Sequence, residues 1–366
     1  MLAVACVLVG ITFGTGMTVL TIRDAMPFVY VALAPVMIRA IEDIGIATVM
    51  RWLRNAVIVH TIWIAPVMFD LLKPTKIPIF GGVPAFTPRH DFDLLICGLA
   101  VVLIATDKRL NKPLAAVLII ANFASMFLSG SRAGLIAGLV VIVIYILRMR
   151  PFQDNAKGPL RLSLAAASFA VLLPVFVMVR DNPPKWALGL QKLLPNGGDE
   201  YASGQNTWNA RISAWRLVTD YVDSAGGYGR LHGLGFGTNP IGDSGAVRYL
   251  SGDSQVRAAH NFLVTWYAFL GLIGIALICL IGCVLLVGFL LVLRTPRQYS
   301  LVGVSLATGL VLSALGGVIL ESPFGYMAFT FGVSLALASG PNERINICGT
   351  GPETKTRKNK AGVKYE

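Results

Sequence analysis

The sequence predicts an all-α polytopic membrane protein with about ten transmembrane helices and one long external loop, and three observations carry that expectation. Of 366 residues, 55% are hydrophobic and only 14% charged, with a mean hydropathy of +0.68, whereas a soluble domain is about 25% charged. Apolar windows near the ~20 residues needed to cross a bilayer recur along the chain. A single polar stretch, residues 180–260, has room for an extramembrane site. This composition excludes a large soluble enzyme carried on one anchor.

Taken in order, the windows fall at 1–20, 25–41, 54–72, 92–106, 113–129, 132–148, 160–179, 264–293, 299–320 and 323–339. The first has no basic start and no small-residue cleavage site behind it, so it reads as a span rather than a removable signal. The fourth and last are short. The eighth exceeds one bilayer thickness, which predicts a break near Gly271 or Gly274. No internal repeat supports an inverted-repeat transporter. The expected organisation is an N-terminal bundle (1–179), a long external loop with a surface helix (180–260), C-terminal spans (261–340) and a basic tail (341–366).

Basic residues orient the bundle, because cytoplasmic loops retain Lys and Arg. Arg39, Arg51 and Arg54 share one loop, Lys108, Arg109 and Lys112 another, Arg148, Arg150, Lys157 and Arg161 a third, and Arg294 and Arg297 a fourth. These loops fall on one side, and the tail joins them, so both termini are expected in the cytoplasm. Arg23, 73–91, Ser129–Arg132, 180–260 and Glu321 then lie outside. The net charge of +12 is mostly topological. It forms no basic stripe interleaved with aromatics, which argues against nucleic-acid binding. Four of the five cysteines sit in apolar runs, which implies no disulfide framework, and Cys279 and Cys283 read as packing residues on one helix face.

On the outer side, Ser129-Gly-Ser-Arg-Ala-Gly134 opens the sixth span. Ser131 is a helix cap in waiting, and free amides at a helix start attract anions. Arg132 there opposes the macrodipole, which makes sense if an anion lies between. Alternatively, it snorkels to headgroups. In the long loop, helical spacing puts Arg211, Trp215, Val218 and Val222 on one face of a helix expected to lie on the outer membrane surface. Arg211 then reaches a headgroup phosphate or simply anchors the helix. His232-Gly-Leu-Gly-Phe-Gly237 is too irregular for a nucleotide loop and reads as a tight turn. Ala259-His260-Asn261-Phe262 precedes a span, and a histidine at the mouth of a bundle is either a general base or a structural loop residue. Glu321 either orients a partner or caps a turn. No histidine repeats a metal-ligand spacing, and no cofactor is expected.

In their order, the SRAG helix start, the external R-x3-W, the glycine turn and the HN before a span resemble the O-antigen ligase and polymerase family over 125–340. That resemblance implies a GT-C-like glycosyltransferase of the bacterial cytoplasmic membrane. Its donor would be an undecaprenyl-diphosphate-linked glycan and its acceptor a hydroxyl of a glycan or lipid-glycan, with membrane lipids around it. Arg132 and Arg211 would correspond to diphosphate-binding residues and His260 to the base, with Trp215, Asn261 and Glu321 supporting. Transfer would be inverting and metal-independent. Family members have about twelve spans, so ten implies a shortened amino-terminal half. The competing reading is a lipid-glycan flippase, which requires a polar path through to the cytoplasmic side.

Overall fold

The computed structural model describes residues 2–68, 71–72, 75–77, 83–85, 90–107, 109–128, 131–148, 198–250, 259–294, 298–317, 319–321 and 323–338. The expected span 160–179, most of the third basic loop and the tail lie outside the described residues. What is described is helical apart from one antiparallel hairpin, β1 (Thr75–Ile77) with β2 (Val83–Ala85), in register Thr75 to Ala85.

The first two expected spans are redrawn. α1 (Leu2–Thr12) stops early because Gly14 and Gly16 follow, Gly16 at φ +86°, and α2 (Val19–Ala32) restarts from a Thr18/Thr21 capping box. α2 and α3 (Ala34–Ile44) meet at a 49° bend, beside Leu33 and Pro35. α4 is Ile46–Met68, beginning eight residues before the window drawn for it. The following apolar runs became helices nearly as drawn: α5 (His90–Thr106), α6 (Lys112–Leu128) and α7 (Arg132–Arg148). By length and composition, one helix among the described residues can cross a membrane, Phe262–Val284, or two if the bent α2/α3 pair is one span. The other apolar helices are shorter than that measure requires.

The polar segment supplies α8 (Gly198–Ser224), α9 (Gly226–His232), α10 (Pro240–Asp243) and α11 (Val247–Leu250). α12 (Phe262–Arg294) follows, then α13 (Gln298–Ala314), a 3₁₀ turn (Ile319–Glu321) and α14 (Pro323–Leu337). The break expected in the eighth span is present: Gly271 has φ 57°, ψ −141°. Cys279 and Cys283 are exposed on α12, so the packing role expected of them does not hold against the protein itself.

Two apolar cores result. The larger joins α1–α7 with α12–α14; α5 packs on α6 and α7, and α13 on α7 and α14. α4 and α5 are clasped by Arg54–Asp107 at 3.1 Å and His60–Asp93 at 3.1 Å. The first of these brings Arg51 and Arg54 to the same end of the bundle as Arg109. The smaller core belongs to the polar segment and the start of α12: Ala214, Val218 and Val222 of α8 close on Ile241, Ala246, Ala259 and Ala268. The apolar face of α8 is therefore covered by protein, not by the membrane surface as its periodicity suggested.

Candidate functional site

α8 organises the site because it offers two polar side chains one turn apart. Arg211 donates from Nη1 to the carbonyl oxygen of Gly316 at 2.8 Å, in the turn after α13. A Cβ on Gly316 would lie 3.9 Å from the Cβ of Ala133, so this turn touches the first turn of α7. There Ser131 caps the helix as its sequence predicts, its Oγ accepting from Gly134 N–H at 3.1 Å. Arg132 occupies the first helical position; its side chain lies outside the described residues. Arg211 and the start of α7 are thus brought to one corner through Gly316, although 105 residues separate Arg211 from its acceptor.

One turn along α8, about 6 Å at 1.5 Å per residue, Trp215 donates its indole N–H to the carbonyl oxygen of Ala259 at 2.7 Å. Ala259 is buried and its own N–H reaches Thr265 Oγ1 at 3.4 Å. His260 follows at φ 55°, the one described non-glycine residue with positive φ. For an L residue this left-handed conformation costs about 1–2 kcal/mol, so its neighbours must hold it. Asn261 does so from the other side: its Oδ1 accepts from Leu263 N–H at 3.0 Å and its carbonyl from Thr265 N–H at 3.1 Å, making it the N-cap of α12. His260 itself is half-buried. Glu321 ends the 3₁₀ turn, and its side chain lies outside the described residues.

The glycine turn 233–237, read from sequence only as a tight turn, ties the polar segment to the bundle. Leu234 and Gly235 N–H donate to the carbonyls of Ala268 (2.8 Å) and Phe269 (3.1 Å), which lose their helical partners where α12 breaks at Gly271. Phe236 N–H donates to Gly10 O at 2.7 Å, and Thr15 N–H to Phe236 O at 3.1 Å. A Cβ at Gly235 would collide with the backbone of Phe13 and Gly14. Sequence reasoning missed Asp24, whose buried carboxylate accepts from Gly237 N–H at 3.1 Å and pairs with Arg23 at 3.0 Å. The signal was a carboxylate inside an otherwise apolar stretch, read there as a gap between spans.

Below His260 and Asn261 lies an apolar cavity lined by Phe262, Trp266, Ile278, Val311, Leu320 and Tyr326. Trp266 packs between Phe28, tilted against it at 4.5 Å, and Tyr326, stacked on it at 5.7 Å, which fixes its wall. The arrangement therefore joins cationic and histidine groups at one end of the bundle with an apolar space beneath them.

Residues 114–279 match the family model described as O-antigen ligase. No curated protein and no solved structure matches the chain. The matched stretch contains Arg132, Arg211, Trp215, His260 and Asn261, whereas Gly316 and Glu321 lie beyond it. The family is one of membrane proteins with glycosyltransferase-like chemistry on lipid-linked glycans in the cell envelope.

Proposed function

Because residues 114–279 match the family model described as O-antigen ligase, we propose that this chain transfers a glycan from an undecaprenyl-diphosphate carrier to a hydroxyl acceptor. The reaction is placed on the outer face of the bacterial cytoplasmic membrane, with both termini in the cytoplasm. The observation that carries the reading is the two-point attachment of α8. Arg211 is tied at Gly316 beside the start of α7, while Trp215 is tied at Ala259, next to His260. One helical turn thus links the proposed diphosphate residues to the proposed base.

In this reading the isoprenoid chain lies along the apolar cavity and the diphosphate reaches the corner formed by Arg211 and Arg132. Arginine suits a diphosphate because its planar fork offers five N–H donors, and Gly316 engages Arg211 through a single nitrogen. His260 takes the proton of the acceptor hydroxyl as its oxygen bonds the anomeric carbon from the face opposite the diphosphate. The bond from that carbon to the diphosphate oxygen breaks, and the oxygen leaves with the electron pair. The arginines offset the charge that develops there, a contribution available without a metal ion. Trp215 and Asn261 hold His260 in its left-handed conformation.

The test is mass spectrometry of lipid-linked glycans in a strain lacking the gene. Accumulated single repeat units identify a polymerase and accumulated long chains a ligase. An unchanged pool contradicts both.

A further inference from the structure

α12 breaks where α9 meets it. The Cβ of any residue at Gly271 would collide with Arg230 O, and at Gly233 with Leu270 N, so the two backbones touch. Before the break, α12 sits among charges: Tyr267 Oη donates to Asp223 Oδ1 at 2.5 Å, and Asp223 pairs with Arg230 at 3.5 Å, both partly exposed. After it, Leu272–Arg294 is apolar up to its terminal arginine and long enough, at about 34 Å, to span the hydrocarbon core. α9 therefore lies against α12 at the break, where the contact with charged groups gives way to an uninterrupted apolar run.

The exposed face of α9 is built for such a boundary. Tyr228 is 77% exposed and Leu231, three residues on and hence on the same face, 46%. The ring of His232 is stacked on Phe13 at 4.4 Å and faces Tyr228 at 6.3 Å. Phe13 follows α1, whose Val4 and Leu8 are also exposed, and Leu272 is exposed just past the break. Exposed apolar side chains thus stand on α1, α9 and α12 around the break, joined at Phe13 and His232, with the exposed Arg230 beside them.

We propose that α9 is a foot by which the external segment rests in the outer-leaflet interface. Tyr228 and Leu231 lie among lipid at the headgroup–acyl boundary, and Arg230 lies at the phosphates. The exposed apolar residues of α1 and α12 beside it argue for lipid as the occupant, and an aromatic with an adjacent cation is the pairing a headgroup–acyl interface favours. The membrane contact expected of α8 belongs to α9 instead, since the apolar face of α8 is covered by protein. This assignment is independent of the transfer reaction.

The test uses the full wild-type chain in nanodiscs holding one copy, with phosphatidylcholine and phosphatidylglycerol carrying a diazirine near the carboxyl end of one acyl chain. After irradiation, adducts are mapped by peptide mass spectrometry. Labelling of 226–232 is expected within about threefold of that on 272–284, and roughly tenfold or more above that on 209–222. Labelling of 226–232 no higher than that of 209–222 overturns the proposal. So does labelling seen in single-copy discs but lost in discs holding two copies, which would make the face a contact between chains.

Discussion

Replacing Trp215 with phenylalanine removes one donor while keeping a ring in the small core beside Val218 and Ala259. The indole N–H is bonded to Ala259 O at 2.7 Å, and Ala259 is 1% exposed, so no bulk water takes its place. Leaving a buried acceptor unsatisfied costs about 1–3 kcal/mol. The neighbouring His260 already carries the ~1–2 kcal/mol of a left-handed conformation, so the cheapest relaxation is to turn the 259–260 peptide and move the imidazole. A shift of 1–2 kcal/mol between two conformations is a factor of about 5–30 in population. Trp215→Phe should therefore lower the single-turnover rate about 5–30-fold. Donor affinity should stay within about twofold, because Arg211 and its tether to Gly316 are untouched. The assay is single-turnover transfer with separately measured donor binding, on protein shown to be folded by its melting temperature. Wild-type turnover would refute the argument, and so would a parallel fall in donor affinity.

Arg132→Ala and Arg211→Ala should each weaken donor binding by about 1.5–3 kcal/mol and also slow turnover, since the diphosphate gains charge as it leaves. Lysine should rescue either only in part, because it lacks the planar fork. Transfer by the purified protein should persist in excess chelator; loss on chelation with recovery on adding a divalent ion would overturn charge compensation by arginine alone. Gly235→Ala introduces a Cβ into the backbone of Phe13 and Gly14 at φ +78°, and the left-handed cost plus overpacking totals about 2–5 kcal/mol. A markedly lower melting temperature or loss of folded protein is expected, and a wild-type melting temperature would contradict the locking role of the glycine turn.

Much of the bundle was legible because a run of apolar residues bounded by Lys, Arg or Gly leaves little choice but a helix. α5, α6 and α7 lie within two residues of their windows for this reason. The first window failed because hydropathy averages over Gly14 and Gly16, two small residues that end a helix without lowering the mean. α8 shows a different limit. Periodicity correctly grouped Val218 and Val222 on one face, but it says nothing about what covers that face, and Ile241, Ala246 and Ala268 do. In the site, Ser131 was readable as a cap because capping is local in sequence. The bond from Arg211 to Gly316 and the one from Trp215 to Ala259 were not, since a backbone carbonyl carries no signature in the sequence. Asn261 was singled out for its place beside His260, yet its contacts make it the cap of α12.

The central claim is that His260 removes the acceptor proton, and His260→Ala tests it most directly when donor affinity and single-turnover rate are measured on the same folded preparation. General-base catalysis contributes about 10²–10⁴-fold, or roughly 3–5 kcal/mol of barrier. The rate should fall by that factor while donor affinity stays nearly unchanged, because the proposed reading assigns the diphosphate to Arg132 and Arg211 and not to His260. Near wild-type turnover in His260→Ala would contradict the account and leave the histidine as a structural residue ahead of α12.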